Sequence, residues 1–157
     1  TGRRVICITG DVGLSFNIQE LETLHRLNLP VKIFVFNNGG CGITRAFRME
    51  KFGGELAGVD REHGLSLPDY IRVAAAYGLI TLSIREHNHM REHIQTALNC
   101  SYGPTLCDVD MRPGYDLQPK LGWNSPIEDQ YPFLPRDEFK SNMIIKPLKG
   151  WEHPTYP

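Results

Sequence analysis

Asp11 and Asn38 stand twenty-seven positions apart, each at the end of an apolar run. Asp11 follows Val5-Ile6-Cys7-Ile8-Thr9 and Gly10, and Asn38 falls where Val31-Lys32-Ile33-Phe34-Val35-Phe36 stops. In an open α/β sheet both would lie at the carboxyl ends of strands, where such folds bind ligands. A hard cation such as Mg²⁺ takes oxygen donors, usually one or two protein groups completed by phosphates and water. The pair therefore suits a metal-bound diphosphate. Such an anion also needs backbone N–H donors and little side-chain bulk, and Gly10, Gly13, Gly39, Gly40 and Gly42 surround the two residues. Singly, Gly-Asp after a strand is a common turn and Asn-Asn-Gly-Gly a common loop; their conjunction points to a site.

The elements that must position these groups follow from periodicity. Short, apolar, β-branched runs at 4–9, 31–37, 79–84 and 104–110 read as strands, and segments near 17–28, 42–51, 68–77 and 88–99 read as helices. This alternation predicts a parallel sheet covered on both faces, a three-layer α/β/α arrangement. Asn17 is the expected N-cap of the first helix, with Glu20 completing a capping box, and Asn28 and Pro30 end that helix.

From Gly10 to Gly42 the chain reads GDVGLSFNIQELETLHRLNLPVKIFVFNNGGCG. This resembles the cofactor motif of thiamine-diphosphate enzymes of the acetolactate synthase type, which runs from Gly-Asp-Gly to Asn-Asn, and it keeps the Asn17-Ile18-Gln19-Glu20-Leu21 stretch of many members. The resemblance implies that Asp11 and Asn38 bind Mg²⁺ through side chains and Gly40 through its carbonyl. It also implies that Gly10, Val12, Gly13, Gly42 and Ile43 border the thiamine diphosphate. Val12 departs from the family's Gly or Ala. A β-branched residue crowds a tight turn, so either Gly13 supplies the flexibility or diphosphate binding is weakened. Leu67-Pro68-Asp69-Tyr70 to Tyr77-Gly78 and Pro104 to Val109 also fall where the family has its later helices and strands. The tail from Glu128 to Ile145 looks like the ending of acetolactate-synthase-like proteins associated with surface-polysaccharide biosynthesis.

The implied activity is decarboxylation of a 2-oxo acid followed by acetolactate synthase-like joining to a second carbonyl. The alternatives are a 2-oxo acid decarboxylase of the same family and a non-catalytic, flavodoxin-like nucleotide-binding or assembly module. The family's activating glutamate belongs to another domain of a neighbouring subunit. No catalytic residue is therefore expected in this chain, which reads as a fragment inactive by itself and belonging to a homo-oligomer, dimer or tetramer.

With 157 residues, 41% of them hydrophobic, the chain can bury one core. Seventeen basic and eighteen acidic side chains are mixed throughout, so no footprint for nucleic acid or an anionic membrane exists. No apolar run approaches the ~20 residues of a membrane span, and the expected setting is cytoplasmic. Cys7, Cys41, Cys100 and Cys107 lack Cys-x-x-Cys spacing; Cys7 and Cys107 fall in strands and are expected to be buried thiols. His89 and His93 share a helical face, a spacing zinc sites use, but no further ligand completes a motif, and a solvated face is the expectation.

After Asp110 the chain becomes rich in proline, with one short helical candidate near 136–143. Aromatics from Tyr115 to Tyr156, including Trp123, argue against simple disorder. The predicted organisation is a cofactor-binding α/β domain over 1–112 and an irregular extension over 113–157 that packs on the domain or on a partner subunit.

Overall fold

The structure, a computed structural model, describes residues 3–111, 118–120 and 126–154. The expected domain boundary at 112/113, together with Thr1, Gly2, Tyr115, Trp123 and Tyr156, lies outside them. The chain forms two compact units, Thr1–Tyr115 and Asp116–Pro157.

In the first unit four strands form one sheet: β1 (Val5–Gly10), β2 (Val31–Asn37), β3 (Ile80–Ile84) and β4 (Thr105–Asp110), in the order β1-β2-β4-β3. All three ladders are parallel, as the strand–helix alternation predicts. Between β1 and β2 lie α1 (Asp11–Ser15) and α2 (Glu20–Arg26); α3 (Gly42–Lys51) and α4 (Tyr70–Ala76) precede β3, and α5 (His87–Asn99) joins β3 to β4.

The pleat divides the core in two. Ile33, Val35 and Leu106 point to one face and pack with Leu14, Leu21, Tyr70 and Ala74 from α1, α2 and α4 and with Leu79 just before β3. Phe34, Ile84 and Cys107 point to the other and pack with Ala97 of α5. Helices on both faces of a parallel sheet make the three-layer α/β/α architecture. Lys32 interrupts the apolar run of β2 yet is buried, because its Nζ donates to Gly103 O at 2.7 Å and Thr105 Oγ1 at 3.1 Å.

Two local expectations are corrected. Asn17 caps no helix. It lies in a turn between α1 and α2, its carbonyl accepts from Glu20 N at 3.0 Å, and Gln19 holds the N-cap position of α2 without a side-chain bond. A separate short helix, α1, forms directly after Gly10, and the helix expected from Asn17 begins instead at Glu20. Cys7 is exposed rather than buried, because β1 is an edge strand whose Val5, Ile6 and Ile8 are also exposed, whereas Cys107 on interior β4 is buried as expected.

The second unit is built around Arg136, the first residue of α6 (Arg136–Asn142). Its guanidinium makes a two-pronged pair with the buried Asp129 carboxylate, at 2.7 and 3.1 Å, and donates to the carbonyls of Leu134 and Trp151. Phe133 and Phe139 present ring faces to it at 5.7 and 4.9 Å, and Phe139 packs against Trp151. A fork of five donors serves planar pairing and ring stacking together, which organises a segment with little regular structure.

Candidate functional site

Register brings the two strand tips together. Gly10 at the end of β1 lies opposite Phe36 of β2, so Asp11 leaves the sheet beside the turn that begins at Asn37. Asn37 holds that turn by two bonds: its Nδ2 donates to Asp108 Oδ1 on β4 at 3.0 Å, and its Oδ1 accepts from Gly39 N at 3.2 Å. Asn38 thereby projects at the carboxyl edge.

Gly40 is the point of convergence. Its N–H faces Asp11 Oδ2 at 2.9 Å and Asn38 Oδ1 at 3.3 Å. Asp11 is only 2% exposed, and its other oxygen accepts from Val12 N at 2.7 Å. The glycines here answer to close approach. A Cβ on Gly40 would stand 2.1 Å from Val59 O, and one on Gly42 2.5 Å from Asn38 Nδ2. Any larger residue at either position would push into the loop that carries the donor oxygens.

Val12 and Gly13 are both helical, within α1, and Gly10 is extended at φ −83° and ψ 166°. The turn thus needs no left-handed residue, so position 12 accepts a β-branched residue on backbone grounds, while a Cβ on Gly13 would stand 2.9 Å from Thr9 Oγ1.

Gly10, Asp11, Val12, Gly13, Asn38, Gly40, Gly42 and Ile43 line one open cleft of about 520 Å³, with Thr9, Cys41 and Met111. The volume lies in the range of small-molecule and cofactor sites. Its donor set consists of a buried carboxylate, an amide oxygen and backbone groups, which is oxygen chemistry suited to a hard cation. Ile43 is 72% exposed over the cleft and so contributes nothing to the core.

Tyr70, known from the sequence only as part of a stretch resembling the family, supports the site through a contact that the sequence did not show. Buried on α4, its hydroxyl donates to Asp11 O at 2.5 Å and meets Ser15 Oγ at 2.6 Å, tying both ends of α1 to the core. Burial raises its phenol above the usual range, outweighing the Ser15 bond, and the charges of Asp11 and Asp108 add to the rise. α4 is placed by Asp69, whose carboxylate caps Arg72 N at 3.1 Å. Asp108 is likewise raised by burial, opposed by its bond from Asn37 and by the Arg85 guanidinium.

The histidine cluster behaves as a helix face. His87 and His89 are exposed, His93 bonds Ser83 O through Nδ1 at 2.9 Å, and the His89 and His93 rings stack at 6.2 Å. Among the described residues no three His, Cys, Asp or Glu side chains converge on a metal position. No helix among them is long and apolar enough to cross a membrane.

Comparison with known proteins bears on what this cleft is. An acetolactate synthase large subunit from Parasynechococcus marenigrum is 30% identical over 145 residues, 92% of this chain and 21% of its own. A probable acetolactate synthase large subunit from Methanococcus aeolicus is 34% identical over 114 residues, 73% of this chain and 18% of its own. This chain therefore spans about a fifth of the length of these relatives. Among solved structures, a thiamine diphosphate-dependent 4-hydroxybenzoylformate decarboxylase from Rhodococcus jostii RHA1 superposes with a TM-score of 0.60 at 28% identity, over 73% of this chain and 20% of that one. The family described as thiamine pyrophosphate enzyme, C-terminal TPP binding domain, matches residues 1–109. The chain belongs to the thiamine pyrophosphate-dependent enzymes and carries their C-terminal cofactor-binding domain.

Proposed function

We propose that this domain grips the diphosphate end of thiamine diphosphate through Mg²⁺, with Asp11 and Asn38 donating side-chain oxygens and Gly40 its carbonyl, in an acetolactate synthase-like enzyme of 2-oxo acids. The observation that carries the reading is the convergence of Asp11 Oδ2 and Asn38 Oδ1 on the single N–H of Gly40. Two oxygen donors held that close, beside a cleft lined by backbone, fit the few protein ligands that Mg²⁺ accepts alongside phosphate. When bound, the cofactor supplies the nucleophilic carbon and the electron sink for 2-oxo acid decarboxylation. This chain's residues bind and orient: Gly40 and Gly42 leave room, Val12 and Ile43 wall the cleft, and Tyr70 fixes the backbone of Asp11.

The test is titration calorimetry of thiamine diphosphate, with and without Mg²⁺, into the complete polypeptide that carries this chain. A saturable, Mg²⁺-dependent heat is expected, and Asp11→Ala should abolish it; metal-independent binding, or binding unaffected by that substitution, removes the assignment. Simple 2-oxo acid decarboxylation is the second reading, favoured by the decarboxylase among the structural relatives. Product analysis separates the two, since carboligation yields a 2-hydroxy-2-methyl-3-oxo acid from pyruvate and decarboxylation an aldehyde. An assembly of more than one subunit is part of the proposal, and this chain alone should show no turnover. A non-catalytic module would show no saturable heat.

A further inference from the structure

Three elements meet on Asp60, in the loop after α3. Its backbone forms an isolated antiparallel bridge with Gly40, supported by Cys41 N donating to Val59 O at 2.8 Å. Its Oδ1 accepts from His63 N at 3.1 Å and from the His63 ring at 2.5 Å, closing the short 3₁₀ turn Arg61–His63. Its Oδ2 pairs with the Arg45 guanidinium on α3, the helix that begins at Gly42. The Asp60 carbonyl also accepts from Leu65 N at 2.8 Å, and neighbouring Val59 is only 1% exposed.

The Gly40 peptide is consequently held from two sides. Asp11 and Asn38 take its N–H, while Val59 and Asp60 press against its Cα so closely that a Cβ would overlap Val59 O. Its carbonyl accepts from Gly42 N at 3.0 Å, which orients that oxygen relative to the start of α3. We infer that Asp60 is a positioning residue: by joining α3 and the 58–65 loop to Gly40, it fixes the carbonyl that serves as the third oxygen donor. The inference rests on the Mg²⁺-diphosphate reading above.

Rigidity of this kind has an ion-specific signature. Mg²⁺ demands near-ideal octahedral geometry, whereas Ca²⁺ tolerates variable distances and coordination numbers. Loosening one donor should therefore penalise Mg²⁺ more than Ca²⁺. A merely structural role would behave differently, since lowering the fraction of competent protein weakens every ligand by the same factor.

The experiment measures apparent dissociation constants for Mg²⁺ and Ca²⁺ by calorimetry at saturating thiamine diphosphate, on the complete polypeptide, for wild type, Asp60→Ala, Asp60→Asn and Arg45→Gln, with folding checked by circular dichroism. Asp60→Ala should weaken Mg²⁺ about tenfold and Ca²⁺ less than about threefold, because only the smaller ion requires the fixed geometry. Asp60→Asn, which keeps one acceptor oxygen, should fall between wild type and Ala. Arg45→Gln removes the α3 tether while leaving the Gly40 bridge, should shift the ion ratio in the same direction, and decides the matter if Asp60→Ala does not fold. An unchanged Mg²⁺ to Ca²⁺ ratio in folded variants overturns the inference alone. A wild type without metal-dependent heat removes it together with the reading on which it rests.

Discussion

A Cβ on Gly40 would meet Val59 O at 2.1 Å and Asp60 Cα at 3.2 Å, both backbone atoms that no rotamer change can move aside. Gly40→Ala must separate the Gly40–Asp60 bridge, at a cost of about 1–3 kcal/mol for overpacking, visible as a lower melting temperature in thermal denaturation. An unchanged melting temperature would mean that the 58–65 loop yields freely. Asp108 offers a second test at this scale. Burial raises its carboxyl above the ordinary 3.8, so between that value and its folded-state pKa the native protein binds the proton more strongly than the unfolded chain does. Its contribution is complete below pH 3.8 and is lost as pH rises through the window. Denaturant unfolding from pH 4 upward should show wild-type stability falling relative to Asp108→Asn; a difference independent of pH would refute the assignment. Asp60 behaves oppositely: its bond from His63 holds its carboxyl below the usual range. Only the comparison with Asp108→Asn therefore isolates the Asp108 contribution.

Among elements, α1 depends on a tether from elsewhere in the chain. It has five residues, and isolated helices this short are unstable. The Tyr70 hydroxyl supplies the link through Asp11 O and Ser15 Oγ. Tyr70→Phe should cost about 0.5–1.5 kcal/mol, the net worth of a typical hydrogen bond, and should speed amide exchange in α1 while sparing α5; equal protection throughout would dismiss the tether. This dependence also explains what could be read in advance. The strands and most helices were legible because their apolar spacing is local, and the meeting of Asp11 and Asn38 in one cleft followed from two strand ends and a motif. Asn17 was misleading because the signal N-x-x-E is local too, whereas the extra helix α1 that ends just before it, and leaves it in a turn, is tied down by Tyr70, fifty-nine residues from Asp11. Tyr70 and Asp108 lay in stretches that match the family and Asp60 in none, but the roles of all three arise from contacts across the sheet and loops that no spacing shows.

For the molecule as a whole, the covering of the sheet is uneven. β2 and β4 are largely buried between helical layers, whereas Val5, Ile6 and Ile8 of β1 are 52%, 51% and 65% exposed on a strand that no other strand pairs beyond among the described residues. α3 adds a second apolar surface, for it fully buries none of its residues, and Ile43 and Met49 on it and Phe52 just beyond it are exposed. An uncovered strand edge is a template for pairing, and apolar patches of this kind mark surfaces that associate. The burial expected for Cys7 fails for the same reason, which makes its thiol a reporter of the edge. The 157-residue chain alone should therefore sediment above 17.8 kDa, with a weight-average mass that rises with concentration. Ile8→Lys places a charge on that edge and should shift the distribution toward monomer. Association through β1 should also slow reaction of Cys7 with a thiol reagent as concentration rises. Cys107, buried and with its thiol pushed up to about 11, should stay unreactive until the protein unfolds. A mass of 17.8 kDa at every concentration, with Cys7 reacting equally fast throughout, would show that an edge of this composition remains unpaired in water and that β1 is not the seat of assembly.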